Sequence, residues 1–178
     1  PEYMPSYLAP ADGASNMERL YAALDGCGVE TLDLASLLIS CKDEGDLYYE
    51  QDTHWNARGA RIAYRAIMEL AAGSAEYDAY ESDSGNEKYG WRGDLHEFVL
   101  PAAEGTLKYV EYASGGDYET DPGANASRDN AFGTVSDKND LRLLMFRDSF
   151  AEALIPLISA NAGRAVYSKE FPYNFVAE

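Results

Sequence analysis

Tyr48-Tyr49-Glu50-Gln51-Asp52-Thr53-His54-Trp55-Asn56 is the stretch from which the fold and chemistry of this chain are best predicted. It places Asp52 two residues before His54, one of only two histidines in the chain. A histidine that acts as a general base needs a carboxylate on one ring nitrogen and a nucleophile near the other. In an extended segment, residues two apart project to the same side, so we expect Asp52 to supply the carboxylate.

The nucleophile is expected in a second stretch, Leu141-Arg142-Leu143-Leu144-Met145-Phe146-Arg147-Asp148-Ser149-Phe150. Its apolar run, followed by Arg-Asp-Ser and a helix-like pattern to Ala162, predicts a buried strand that turns sharply into a helix. In open α/β sheets, ligands bind at the ends of such strands. Ser149 would lie on this turn, where the backbone N–H groups of Ser149 and Phe150 can bind an oxyanion. Each such donor typically lowers the activation free energy by about 3 kcal/mol. Asp148 is better suited to capping the helix than to catalysis.

These two stretches resemble the alginate O-acetyltransferase family of SGNH-hydrolase-like proteins, the AlgX and AlgJ type. The resemblance lies in Tyr48-Tyr49 with Asp-Thr-His-Trp, in the helix start Asn56–Ala60 and in Phe146–Phe150. The segments Pro1–Pro5 and Trp91–Leu95 are also similar to that family. Trp91–Asp94 is interpreted as a turn that supports the site.

The resemblance implies an α/β, SGNH-hydrolase-like three-layer sandwich with a mostly parallel sheet. It also implies a permuted catalytic order, because Asp-x-His precedes the serine here. We expect one such domain over residues 1–178, with residues 73–140 inserted over the catalytic face. The first strand expected from the family is missing, so the sequence is interpreted as a truncated domain.

The resemblance further implies a catalytic triad of Ser149, His54 and Asp52, in which the serine carries an acetyl group. The acetyl group would pass to hydroxyls of an exported cell-envelope polysaccharide, delivered by a membrane-bound O-acyltransferase. The implied location is the periplasm or the extracellular side of the envelope, with a membrane anchor in the full-length protein. No cofactor or metal is expected.

Three further residues are candidate substrate-binding residues: Arg147, Tyr49 and Trp55. Aromatic faces stack on sugars, and half-buried packing is the alternative for each ring. Arg147 is predicted to hold the acyl donor or the oxyanion, or else to pair with a nearby acid. The second histidine, His96, also has acids beside it and is interpreted as a solvated surface residue.

The charge balance limits the partners of this 178-residue chain. Its 31 Asp and Glu exceed its 14 Lys and Arg, giving a net charge of -17, which disfavours nucleic acid and anionic lipid. A polyanionic acceptor such as alginate is also disfavoured, and a neutral glycan fits better. No apolar run approaches the roughly 20 residues that cross a bilayer. Cys27 and Cys41 leave two alternatives open, one disulfide or two buried free thiols.

Local patterns predict the remaining elements. Ser15 and Glu18 predict a capping box for a first helix whose apolar stripe faces a sheet. The other predicted elements are a strand at Val29–Leu34, a helix at Ala35–Lys42, a helix at 56–72 with Ala60, Ala63, Ile67, Leu70 and Ala71 inward, a strand at Leu107–Tyr112, a loop at Ser114–Asn130, a helix at Phe150–Ala162 interrupted by Pro156, and a strand at Arg164–Ser168.

Two rival functions remain open at this level. One is a carbohydrate acetylesterase with the same triad, because water could replace the sugar hydroxyl. The other is a non-catalytic glycan-binding or scaffold domain, in which Ser149 would not react with a serine-directed inhibitor.

Overall fold

The computed structural model of the protein describes residues 5–9, 12–73, 86–91, 93–99, 107–111, 117–121 and 130–170. The chain forms two compact units, Pro1–Asp33 and Leu34–Glu178. None of the described helices is long and apolar enough to cross a membrane.

The first unit contains helix α1, Asn16–Leu24. The predicted capping box is present, because the Glu18 N–H donates to Ser15 Oγ and the Ser15 N–H donates to the Glu18 carboxylate. No side chain of α1 is buried, and the prediction that its apolar stripe faces a sheet stays a prediction. The predicted strand at Val29–Leu34 is wrong: residues 29–33 have no regular structure, and a helix begins at Leu34. β-branched residues favour a strand only when a neighbouring strand is there to pair with them.

The second unit carries the sheet and the candidate site. Its elements in chain order are α2 (Leu34–Ser40), a 3-10 turn (Lys42–Glu44), α3 (Ala57–Ala72), β1 (Asn86–Trp91), α4 (Asp94–Val99), β2 (Leu107–Glu111), β3 (Glu119–Thr120), β4 (Ala131–Val135), β5 (Arg142–Phe146), a 3-10 turn (Ser149–Ala153), α5 (Ile155–Asn161) and β6 (Arg164–Ser168). The predicted elements at 35–42, 56–72, 107–112, 141–146 and 164–168 are therefore present, with small shifts at their ends.

The described strands form two sheets. One is the antiparallel pair β1–β2, and the other has the strand order β3-β4-β6-β5. In the larger sheet β5 and β6 are parallel, whereas β3–β4 and β4–β6 are antiparallel. Parallel neighbours need a crossover of about a dozen residues or more, and the β5–β6 connection contains one, α5. The sheet is thus mixed, with its parallel pairing confined to the strands around α5.

Strand β4 lies between β3 and β6, inside the larger sheet. Residues 73–140 therefore contribute a strand of the larger sheet as well as β1 and β2, and their expected place over the catalytic face stays a prediction. Ala131-Phe-Gly-Thr-Val gives a weak strand signal because glycine interrupts its alternation. Phe132 and Thr134 are buried, as period-two alternation requires.

Helices α3 and α5 cover one face of this sheet. Tyr64 and Met68 of α3, Ile155 and Ile158 of α5, and Tyr167 of β6 belong to one buried cluster. The predicted inward face of α3 is confirmed at Ala60 and Ala63, which are buried, and at Ile67, which packs against the core, whereas Leu70 and Ala71 in the last turn are exposed. The described residues therefore form the α/β fold that the sequence predicts.

Strand β5 is an edge strand of the described sheet, and not the buried strand that its apolar sequence predicts. Leu144 is 56% exposed and Phe146 is 43% exposed. The chain leaves β5 through Arg147 and Asp148 and enters the 3-10 turn at Ser149. Pro156 lies in the first turn of α5, so the predicted interruption is present and the helix restarts there.

Candidate active site

Asp52 and His54 meet through a tight turn of their own segment. The backbone N–H of His54 donates to Asp52 Oδ1 at 2.7 Å, and His54 Nδ1 lies 2.6 Å from the same oxygen. Residues 52–54 are bends and not a strand, so the two side chains meet by an Asx-type turn and not by the predicted extended geometry. Asp52 is 8% exposed. The arrangement fixes the imidazole with Nδ1 as the donor to the carboxylate.

Ser149 lies on the other side of the same imidazole. Its Oγ is 2.8 Å from His54 Nε2, within the range of a hydrogen bond. Ser149 is exposed, while His54 is partly buried. The structure therefore brings together the three residues predicted to form a triad, at distances suited to proton transfer.

Trp55 and Phe150 link the two remote segments next to these contacts. Trp55 Nε1 donates to the carbonyl oxygen of Phe150 at 3.0 Å. The Phe150 ring lies 4.8 Å from the His54 ring and packs at 82° against Trp55. The residue after the histidine thus fixes the residue after the serine, which sets the distance between Oγ and Nε2.

Asp148 caps the 3-10 turn, as predicted. Its side chain accepts a hydrogen bond from the Phe150 N–H at 2.9 Å. The expectation that Phe150 N–H holds the oxyanion is corrected by this bond, because that donor is already engaged. The N–H of Ser149 has no acceptor among the described residues and is the backbone donor left at this turn.

Asp94 holds the histidine segment from outside. Its carboxylate accepts bonds from the Thr53 N–H at 2.9 Å and from Thr53 Oγ1 at 2.5 Å, and its backbone N–H donates to Asp52 Oδ2 at 2.9 Å. The hydrogen bond from the Thr53 side chain is the main reason why the pKa of Asp94 lies below its usual value. This location agrees with the prediction of a supporting turn at Trp91–Asp94. The specific contact to Asp52 is set by chain folding and has no local sequence signal.

Asp52, His54 and Asp94 each place one oxygen or nitrogen atom within 4.8 Å of the others, as metal ligands do. The hydrogen bonds already described account for this grouping. Asp52 and His54 bond to each other, and the Asp94 carboxylate bonds to Thr53.

The predicted substrate-binding residues lie in less accessible positions. The Arg147 side chain is 1% exposed, its Nη1 donates to Glu152, and its guanidinium lies 5.8 Å from the centre of the Phe132 ring. Trp55 is 7% exposed. Both side chains support the serine turn from within, and Arg147 pairs with an acid, which is the alternative that the sequence left open. The substrate contact expected for the two residues stays a prediction. Tyr49 is half-buried and pairs through its backbone with His54.

The second histidine, His96, lies in α4, and its side chain is outside the described part of the structure. Cys27 and Cys41 are both free thiols, and Cys27 is exposed and not buried. A cavity of about 430 Å³ lies behind the serine turn, lined mainly by apolar side chains that include Trp55, Met145, Phe150 and Leu154.

An Asp-x-His turn that meets a serine at the end of a strand in an α/β fold is the arrangement of a serine-dependent acyl-transfer or hydrolase site. The family model described as "SGNH hydrolase-like domain, acetyltransferase AlgX" matches residues 1–144. The chain therefore belongs to this family of SGNH hydrolase-like, acetyltransferase-type domains. The match includes Asp52 and His54 and ends before Ser149.

Solved structures share the fold at low sequence identity. A DHHW family protein from Eubacterium siraeum superposes with a TM-score of 0.64 and 18% identity, over 92% of this chain and 65% of that chain. Bacillus cereus PatB1 superposes with a TM-score of 0.57 and 16% identity, over 90% of this chain and 69% of that chain. PatB1 with a sulfonyl adduct gives the same TM-score at 17% identity, over 90% of this chain and 68% of that one. No curated protein matches the sequence.

Proposed function

We propose that this domain is a serine O-acetyltransferase that moves an acetyl group, through acetyl-Ser149, onto hydroxyls of an exported cell-envelope polysaccharide. The observation that supports this most directly is the hydrogen-bonded series Asp52, His54 and Ser149. His54 Nδ1 lies 2.6 Å from Asp52 Oδ1, and His54 Nε2 lies 2.8 Å from Ser149 Oγ. Membership of an acetyltransferase family points the same way.

The first half-reaction forms the acyl-enzyme. Ser149 Oγ attacks the carbonyl carbon of an acetyl ester or thioester while His54 Nε2 takes the hydroxyl proton. Asp52 stabilises the resulting imidazolium through Nδ1–H. The Ser149 N–H is the backbone donor available to the tetrahedral oxyanion. Collapse of the intermediate breaks the bond to the leaving group, which receives the proton from His54 and departs.

The second half-reaction regenerates the serine. A sugar hydroxyl gives its proton to His54 Nε2 and attacks the acetyl carbon, and the Ser149–acyl bond breaks as Oγ recovers the proton. A membrane-bound O-acyltransferase that supplies the acetyl group, and a periplasmic or extracellular location, belong to the same proposal.

The charge around the site favours a neutral glycan as acceptor. Asp94 and Asp148 lie beside the triad, and the guanidinium of Arg147 is turned inward toward Glu152. The chain as a whole carries a net charge of -17. A uronate polymer would approach a negative field, so a neutral sugar hydroxyl is the acceptor we favour.

A labelling experiment tests the proposal. The protein is incubated with 4-nitrophenyl acetate, and intact and peptide masses are read for one added acetyl group on Ser149. Ser149→Ala and His54→Ala should abolish the acetyl adduct, while Ser40→Ala, a serine remote from the triad at the end of α2, should retain it. Offering neutral oligosaccharides should then discharge the adduct and acetylate the sugar. An unlabelled Ser149 would contradict the proposal and favour a non-catalytic domain.

A carbohydrate acetylesterase is the second candidate, and the exposure of Ser149 favours it. Water that reaches the acyl-enzyme would hydrolyse it. Release of free acetate at a rate that no sugar acceptor changes would assign the domain to the esterases.

A further inference from the structure

We infer that Asp94 and Thr53 form a clamp that positions Asp52 and thereby sets the reactivity of Ser149. This inference rests on the proposed function, because it assigns two positioning residues to the same triad. Neither residue touches the reacting atoms. Both act through the carboxylate of Asp52.

The Asp52 carboxylate is held by three donors. Its Oδ1 accepts hydrogen bonds from the backbone N–H and from Nδ1 of His54, and its Oδ2 accepts one from the backbone N–H of Asp94. A carboxylate that is held through one oxygen alone can still tilt about its Cβ–Cγ bond. The bond from Asp94 to Oδ2 fixes the plane, so the imidazole has one preferred orientation toward Ser149.

The backbone of Asp94 stays in this position because its side chain returns to the histidine segment. The two carboxylate oxygens of Asp94 accept from the N–H and the hydroxyl of Thr53. The N–H of Leu95 donates to the carbonyl oxygen of Gln51 at 3.2 Å. Hydrogen bonds therefore run in both directions between residues 51–53 and 93–95.

Gly93 permits this close approach. It is buried, and a Cβ at this position would collide with the carbonyl oxygen of Gln51 and lie 2.9 Å from Asp52 Cβ. The two segments thus pack closer than any other residue would allow.

The test measures the reactivity of Ser149 with phenylmethanesulfonyl fluoride, followed by mass spectrometry, and the hydrolysis of 4-nitrophenyl acetate. Thr53→Val and Asp94→Asn should slow both reactions by roughly tenfold or more, mainly in kcat, because a misplaced base loses the attack geometry. Thr53→Ser keeps the hydroxyl and should stay within about twofold of the unchanged protein. Glu69→Gln, an exposed acid on α3, is the matched charge control.

A coupling measurement separates positioning from general damage. In an Asp52→Ala background, Asp94→Asn should change the rate by less than about twofold, because the residue through which it acts is gone. An undiminished effect of Asp94→Asn in that background overturns the inference. Equal reactivity of Asp94→Asn and the unchanged protein overturns it too, while leaving the proposed function intact.

Proton NMR gives a readout that does not depend on catalysis. The Nδ1–H of His54, assigned by its loss in His54→Gln, should exchange slowly in the unchanged protein and in Thr53→Ser. It should exchange faster in Thr53→Val and Asp94→Asn. If Ser149 is inert toward the sulfonyl fluoride in the unchanged protein, the proposed function fails. The exchange rates still test whether Asp94 and Thr53 position Asp52, and equal rates in all four proteins overturn that inference.

Discussion

At the scale of single residues, His54 lies between two hydrogen-bond partners, Asp52 in its own turn and Ser149 from a segment far along the chain. Asp52, His54 and Ser149 could be chosen because their residue types and local spacing carry the signal, and the structure places them in hydrogen-bond contact. Arg147 and Trp55 were assigned to the substrate because arginine and tryptophan often bind sugars and anions. Which way such a side chain points depends on tertiary packing, and here both point inward.

Trp55→Phe tests the role of the tryptophan as a link between the two segments. The change keeps an aromatic ring and removes the donor to the carbonyl of Phe150. The free energy of unfolding should fall by about 1 kcal/mol for the lost hydrogen bond. The rate of 4-nitrophenyl acetate hydrolysis should fall by roughly threefold to tenfold, since the serine turn loses its register with His54. Tyr48→Phe changes an exposed ring in the same stretch and should alter neither value. An unchanged rate in Trp55→Phe would contradict the role assigned here.

The buried hydroxyl of Tyr167 should make the free energy of unfolding depend on pH in the alkaline range. Burial raises the pKa of Tyr167 to about 12 from an ordinary 10.0, and hydrogen bonding within its Ser159 and Thr134 network partly opposes the shift. Because the folded state holds this proton more tightly, the stability it contributes is complete below pH 10.0 and is lost as the pH rises toward about 12. A difference of this size corresponds to roughly 3 kcal/mol when ionisation is complete.

Urea unfolding of the protein and of Tyr167→Phe at several alkaline pH values measures this dependence. The variant should be less stable near neutral pH by about 1 kcal/mol, because its hydrogen bond is missing. Its stability should then decline less steeply than that of the unchanged protein over the interval between pH 10.0 and about 12. Parallel declines in the two proteins would show that Tyr167 is not the group responsible.

At the scale of elements, local capping signals predict where helices begin, whereas periodicity predicts some strands and misses others. The Ser15 box, Asn56 at the start of α3 and the break at Pro156 are local signals, and each element they predict is present. Strand β4 was missed and a strand at Val29–Leu34 was wrongly predicted, because pairing with distant strands decides whether an extended segment becomes a strand. Local residues also do not show where the core ends, because Leu70 and Ala71 continue the apolar pattern of α3 but lie exposed in its last turn.

Gly59→Ala sets helix propensity against packing within α3. In an isolated helix the change would stabilise by about 1 kcal/mol. Here a Cβ would collide with the carbonyl oxygen of Leu47 and lie 3.0 Å from Trp55 Cβ, and both neighbours belong to the segment that leads to the site. We expect packing to win, with a loss of about 1–3 kcal/mol in urea unfolding. Glu69→Ala, an exposed change on the same helix, should be neutral or slightly stabilising. A gain in the free energy of unfolding for Gly59→Ala would contradict this expectation and would mean that the backbone around Leu47 shifts at little cost to make room for the Cβ.

At the scale of the whole molecule, the net charge of -17 is fixed by composition alone, whereas its distribution around the site depends on the fold. The structure turns Arg147 inward toward Glu152, places Asp94 beside His54 and leaves Asp148 next to the serine in the chain. Charge and geometry therefore act together on the choice of acceptor. A negatively charged glycan meets repulsion from both the surface and the site.

Salt dependence of acetyl transfer tests this charge selection. Acetyl-Ser149 is formed with 4-nitrophenyl acetate and discharged by a neutral oligosaccharide or by a uronate oligosaccharide of the same length. At low salt the KM for the uronate should exceed that for the neutral sugar several-fold, because like charges repel over about 10 Å at 0.1 M ionic strength. Raising the ionic strength toward about 1 M shortens that range to about 3 Å, so the ratio of the two KM values should approach one. The KM for the neutral sugar serves as the control, because it should barely change with salt. Equal KM values for the uronate and the neutral sugar at low salt would mean that positive charge is gathered at the acceptor site. The preference for a neutral glycan would then be wrong, whereas the acyl-serine chemistry would be unaffected.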